Sequence, residues 1–133
     1  MRIGIAGPLA TADLVHLLST DPASLPAQMQ GSSVLVTLIE ALLAKGHEVV
    51  AYTTDPSLAP RPGSHATGHG PGLTVHYVPR RRHALRGDRG ARGRMVDLFR
   101  LERQELARAM RLDPPDVLHA HWSYEFAAAA LST

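Results

Sequence analysis

The run from Ser33 to Thr53, SVLVTLIEALLAKGHEVVAYT, constrains this chain most. Val34, Leu35, Leu38, Ile39, Leu42 and Leu43 recur at spacings of one, three and four, so a helix over Ser33 to Lys45 carries a single apolar stripe. Lys45 falls in the last turn, where a cation meets the negative end of the helix dipole, and Gly46 suits the left-handed position just past the helix end. Glu48 to Thr53 then follow as a strand. Helix, glycine stop and strand in direct succession are the building block of a layered α/β fold.

The flanking segments repeat the alternation. Arg2 to Ala6 predicts a first buried strand, ended by Gly7-Pro8. Gly7 to Gln30 is too long for a plain connection, and Asp13 to Leu18 predicts a short helix within it, with Thr11 as its N-cap. Asp55 to Gly72 is rich in Pro, Gly and His and reads as a surface loop. Leu73 to Val78 alternates and predicts a third strand near the sheet edge. A Gly/Arg loop leads into a helix from about Met95 to Arg111, with Val96, Phe99, Leu106 and Met110 on its inner face, stopped by Asp113-Pro114-Pro115. Asp116 to Ala120 predicts a fourth strand, and a last helix starts at Tyr124 with Ser123 as its cap. The expected architecture is α/β: a Rossmann-like, mostly parallel sheet of four strands with flanking helices.

At 133 residues and 44% hydrophobic, the chain suffices for one domain with a core, residues 1–133. It contains no cysteine, which excludes disulfides and thiolate chemistry. No apolar stretch reaches the roughly 18 residues of a membrane span, and the N-terminal apolar run is too short for a signal peptide; a soluble cytoplasmic protein is expected. G-x-G-x-x-G, P-loop and G-x-S-x-G patterns are missing, so dinucleotide binding, nucleoside triphosphate hydrolysis and serine hydrolase chemistry have no motif to rest on.

In parallel sheets ligands bind beyond the carboxyl ends of the strands. That edge is expected to carry Gly7-Pro8, Thr54-Asp55, Arg80, Arg81 and Arg82, and the closing cluster His121, Trp122, Tyr124 and Glu125. His119 and His121 alternate on one face, yet no third metal ligand accompanies them, so no metal site is expected. His119 reads as a packed strand residue, and His121 as one able to reach a ligand. Trp122 and Tyr124 fit either a platform for a sugar ring or a core cover for the sheet end, and Glu125 fits a hydroxyl acceptor. Gly31-Ser32 opens the main helix, where backbone N–H groups and the dipole favour an anion; an ordinary glycine with a serine cap is the alternative. The loop from Arg80 to Arg94 holds seven arginines offset only by Asp88 and contains no aromatic residue to stack on bases, which speaks against nucleic acid. It reads either as a solvated loop or as a contact for phosphate-bearing ligands or an anionic membrane.

Taken in order, MRIGIAGP, LIEALLAKGHEVVAYTTDP, VPRRR, DLFRLERQELARAMR and PDVLHAHWSYEFAAAAL resemble the N-terminal domain of glycosyltransferase family 4, of the GT-B fold. The resemblance implies a retaining enzyme that moves a sugar from a nucleotide-sugar donor to a sugar or lipid-linked acceptor, with no cofactor and no metal. It implies that His121 faces the donor sugar and that Gly31 and Ser32 approach the donor diphosphate, although Gln30-Gly31-Ser32 stands where the family has paired glycines. Trp122, Tyr124, Glu125 and Arg80 to Arg82 are then candidate acceptor or sugar contacts. It also implies a domain incomplete at its C-terminal end, without catalysis on its own, that needs a C-terminal donor-binding domain. The competing expectation is a non-enzymatic module that binds an anionic ligand, or the inner face of a membrane, through its arginine loop.

Overall fold

A computed structural model describes residues 1–122 and 124–133. The predicted Ser123 cap lies outside the described residues. The order of elements is β1 (Arg2–Ala6), α1 (Thr11–Leu14), α2 (Ser33–Ala44), β2 (Glu48–Asp55), β3 (Ala66–Gly70), β4 (Leu73–Pro79), α3 (Arg100–Leu112), β5 (Val117–Ala120) and α4 (Glu125–Leu131). The sheet runs β3-β4-β2-β1-β5, with every pairing parallel except that of β3 with β4. The α/β, Rossmann-like reading therefore holds, with five strands in place of four.

Alternation along the strands sorts the core into two layers. Ile5, Val49, Ala51, Val75 and Tyr77 face α1 and α2, where Leu14, Leu35 and Ile39 close over them. Ala6, Val50, Tyr52 and Val78 face α3 and α4, where Leu106, Met110 and Phe126 pack. Gly46 adopts φ +84°, the conformation expected of it.

Four expectations change. Asp55 to Gly72 is not wholly loop: ATGHG pairs antiparallel with β4, with Gly68 opposite Val75. The strand has no apolar alternation to reveal it, because backbone pairing carries it and Leu25 covers it at Gly68. Consequently β4 lies inside the sheet, not near its edge. Thr11 does not cap the short helix; Ala10 holds that position, and the Thr11 hydroxyl bonds to the Pro26 carbonyl and the Tyr77 hydroxyl. The second long helix begins at Arg100 and not at Met95, because Leu98 and Phe99 take φ values of +55° and +60° and leave Val96 exposed.

Candidate functional site

Parallel strands deliver their carboxyl ends to one edge, and backbone bonds tie the loops there together. The Gly7 N–H donates to the Tyr52 carbonyl at 3.1 Å, and the His121 N–H donates to the Ala6 carbonyl at 2.7 Å. Asp55, at the end of β2, is buried and accepts from the Gln28 and Met29 N–H groups at 3.0 Å each, and from the Ser57 N–H and hydroxyl at 2.8 and 2.7 Å. One carboxylate thus pins the loop that precedes α2 onto the strand end. Gly31 lies against the Leu9–Ala10 backbone, where a Cβ would stand 2.3 Å from the Ala10 nitrogen, so only glycine fits.

Between these loops lies a cleft of about 420 Å³, bounded by Gln28, Met29 and Gln30 on one side and by Arg80, Arg82, Arg94 and Trp122 on the other. Arg80, Arg94 and Trp122 also border an adjoining hollow that reaches Phe99, Tyr124 and Glu125. Beyond it, Met95, Leu98, Phe99, Tyr124 and Ala128 form a largely apolar groove of about 350 Å³, bordered also by Arg103, whose Nε donates to the Leu98 carbonyl at 2.7 Å. Four non-glycine residues along this trough adopt positive φ: Leu98 (+55°), Phe99 (+60°), Trp122 (+74°) and Tyr124 (+61°). Each such conformation costs on the order of 1 kcal/mol, and such residues concentrate at functional sites.

The site residues predicted from sequence separate into distinct groups. Trp122 and Tyr124 are 62% and 66% exposed, which decides against a core cover. Tyr124 rests on Phe99, with ring centroids 5.4 Å apart, and Trp122 stacks near His121 at 6.4 Å. His119 is exposed and not packed as expected, because β5 is the outermost strand; its ring lies 6.2 Å from that of His121. Glu125 is buried and accepts from Arg80 Nη1 at 2.9 Å, so it orients that arginine instead of offering a free carboxylate. The Ser32 N–H donates to the Pro8 carbonyl at 3.0 Å and is not free for an anion, whereas α2 begins without a side-chain cap. Among the described residues no three His, Cys, Asp or Glu side chains converge as a metal site would require.

Arg81 departs furthest from its expected place. It is 5% exposed, and its guanidinium bonds to Glu102 at 2.7 Å and to Asp97 at 2.8 and 3.0 Å. Glu102 is fully buried and also accepts from the Arg81 N–H at 2.8 Å. Burial alone would lower the Arg81 pKa, and the bonds from Glu102 and Asp97 outweigh it and raise the pKa. The bond from Arg81 holds the Asp97 carboxyl below its ordinary range. Arg81 serves as an internal strut between its loop, Asp97 and α3, buried where a contact at the cleft was expected.

Arg94 is the residue that sequence reasoning left undistinguished among seven arginines. Its Nη1 donates to the Arg81 and Arg82 carbonyls at 3.2 and 3.1 Å. No carboxylate among the described residues pairs with it, and burial together with the nearby Arg80 charge lowers its pKa. Nor is its loop simply solvated. Asp88 and Ala91 exchange two backbone bonds of 2.9 Å, and the Arg94 and Met95 N–H groups reach back to His83 and Ala84.

Fold and site together define a Rossmann-like α/β domain with a cleft at the carboxyl edge of its sheet. Residues 31–133 match the family model for the glycosyl transferase 4-like domain, and the chain belongs to that family. Its class of chemistry is glycosyl transfer between a sugar donor and an acceptor. No curated protein and no solved structure matches the chain. Among the described residues no helix is long and apolar enough to cross a membrane.

Proposed function

We propose that this chain is the acceptor-side domain of a retaining glycosyltransferase that takes its sugar from a nucleotide-sugar. The observation that carries the reading is the cleft at the carboxyl edge of the sheet in a glycosyl transferase 4-like domain, lined by Trp122, with His121 just past the end of β5 and its ring 6.4 Å from that of Trp122. In this reading a C-terminal donor-binding domain faces the edge across a GT-B cleft. Residues 1–133 alone hold one side of the reaction and do not turn over. The reaction uses no metal and no cofactor, and the enzyme works in the cytoplasm or at the inner face of a membrane.

The roles follow from position. His121 is pinned through its backbone to β1, so its ring projects from a rigid strand end toward the transferred sugar. Trp122 offers an exposed ring for the apolar face of a sugar. The uncapped first turn of α2, behind Gly31, points N–H groups and the positive end of a dipole toward the donor diphosphate. Arg80, oriented by Glu125, borders the acceptor side.

The test uses an enzyme in which this domain is joined to its donor-binding domain. His121→Ala should lower kcat by about 100-fold or more. The product should keep the donor's anomeric configuration by NMR. Unchanged kcat removes His121 from the mechanism, and an inverted product overturns the retaining assignment.

A further inference from the structure

We infer that the acceptor is an amphiphile with an anionic head group, which lies in the arginine cleft while its alkyl chain occupies the adjoining apolar groove. This inference rests on the glycosyltransferase reading and supplies the substrate class.

The head-group site follows from charge. Three guanidinium groups line the cleft, and two have carboxylate partners: Arg80 with Glu125 at 2.9 Å, and Arg82 with Asp88 at 3.8 Å. Asp88 is shared with Arg89 at 3.3 Å, so its charge is divided. Arg94 has no such partner among the described residues, and its Nη2 donates to none of them. Its Nη1 is held by two carbonyls, which fixes the group in place before a ligand arrives. A fixed, partly desolvated cation beside two further arginines is attractive to an anion of charge near −2, and guanidinium matches phosphate geometry through paired N–H groups. The exposed amides of Gln28 and Gln30 across the cleft supply further donors.

The chain site follows from continuity. The cleft and the apolar groove are joined by a hollow that shares Arg80, Arg94 and Trp122 with one and Met95, Phe99 and Tyr124 with the other. Leu98 is 72% exposed and Met95 50%, beside a strongly cationic loop. Exposed apolar side chains, Leu98 among them held at positive φ, next to the cleft arginines complement a molecule that is anionic at one end and apolar at the other. A wholly polar acceptor leaves the groove empty, and a wholly apolar one leaves Arg94 uncompensated.

Trp122 is the only tryptophan of the chain and borders the cleft, so its fluorescence reports occupancy. The 133-residue chain is titrated with a monomeric short-chain phosphatidic acid, its phosphatidylcholine counterpart and inorganic phosphate. Saturable change is expected with phosphatidic acid, at an affinity about tenfold or more above that for phosphate, because the chain adds apolar burial. Arg94→Gln should weaken phosphatidic acid binding about tenfold or more. Leu98→Asp, at an exposed position, should weaken phosphatidic acid but not phosphate, and far-ultraviolet circular dichroism checks that both variants fold. Equal affinity for phosphate and phosphatidic acid overturns the chain site. Equal affinity for the two lipids overturns the head-group site. A Trp122 signal that depends on protein concentration without lipid means that a second copy covers the groove, and also overturns the proposal. Because these readouts involve no sugar transfer, their failure leaves the glycosyltransferase reading standing with a different acceptor.

Discussion

Arg81 and Arg94 belong to one loop, both are drawn in from water, and the carbonyl of one is bound by the side chain of the other. Their surroundings oppose. Arg81 is buried and meets the two carboxylates Glu102 and Asp97, which neutralise it. Arg94 meets only carbonyls and keeps its charge. The first arrangement closes the loop onto α3, and the second leaves a cation at the edge of the sheet. The difference teaches that arginine-rich composition says little by itself; what counts is which guanidinium the fold has already neutralised.

Breaking the closed side should have the largest effect. Arg81→Met leaves Glu102 charged and fully buried, and removing one partner of a buried ion pair costs about 3–5 kcal/mol. The urea midpoint should fall accordingly. Adding Glu102→Leu should recover much of the loss, since an apolar replacement of a buried pair is often neutral. Arg94→Gln should cost only about 1 kcal/mol, for two hydrogen bonds to carbonyls. If both variants lose stability equally, the two arginines do not differ in kind.

A smaller effect sharpens the open side. Leu98→Gly relieves a positive φ but loosens the unfolded chain, so stability should change by less than about 1 kcal/mol. Its amphiphile binding should nevertheless weaken. A large loss of stability would make Leu98 a packing residue and not a groove wall.

The smallest effect comes from pH and lies away from the loop. His76 bonds to Asp113 at 2.6 Å and to His65 at 3.1 Å. Burial, then the neighbouring His76, lowers the His65 pKa below its ordinary 6.5. The unfolded chain therefore binds that proton more readily, and stability is lost as pH falls below about 6.5. Burial alone would raise the Asp113 pKa, but bonds from Arg2 and His76 lower it overall, so its contribution persists above 3.8 and is lost only in stronger acid. Between pH 8 and 5 the loop arginines do not titrate, so Arg94→Gln, which strips no buried carboxylate of its partner, should keep the wild-type pH slope while His65→Gln flattens it. Urea midpoints across this range decide between these outcomes.

Much of the frame was legible in the sequence because it rests on apolar runs and one helical stripe: β1 and β2 are buried on both faces, α2 buries one side, and all three fall where those patterns put them. The strand β3 was not, since Ala66, Thr67, Gly68, His69 and Gly70 join the sheet through backbone bonds that leave no side-chain pattern. The start of α3 was hidden for a related reason. Asp97 turns inward to Arg81 and also accepts from the Arg100 N–H at 3.3 Å, a tertiary choice that local propensity does not record. At the site, the edge position of His121 and Trp122 could be read from strand order. Asp55 carried a faint signal as an acid directly after a strand. The roles of Arg81 and Arg94 carried none, because the contrast arises only when the loop folds back.

The measurement that tests this contrast most directly is an NMR titration following arginine side-chain Nε–Hε resonances while short-chain phosphatidic acid is added. The Arg94 and Arg80 signals should shift together and saturate with the Trp122 fluorescence change, and the Arg81 signal should stay fixed. Movement of Arg81 with Arg94 unmoved, or shifts spread evenly over all the arginines, would contradict the account.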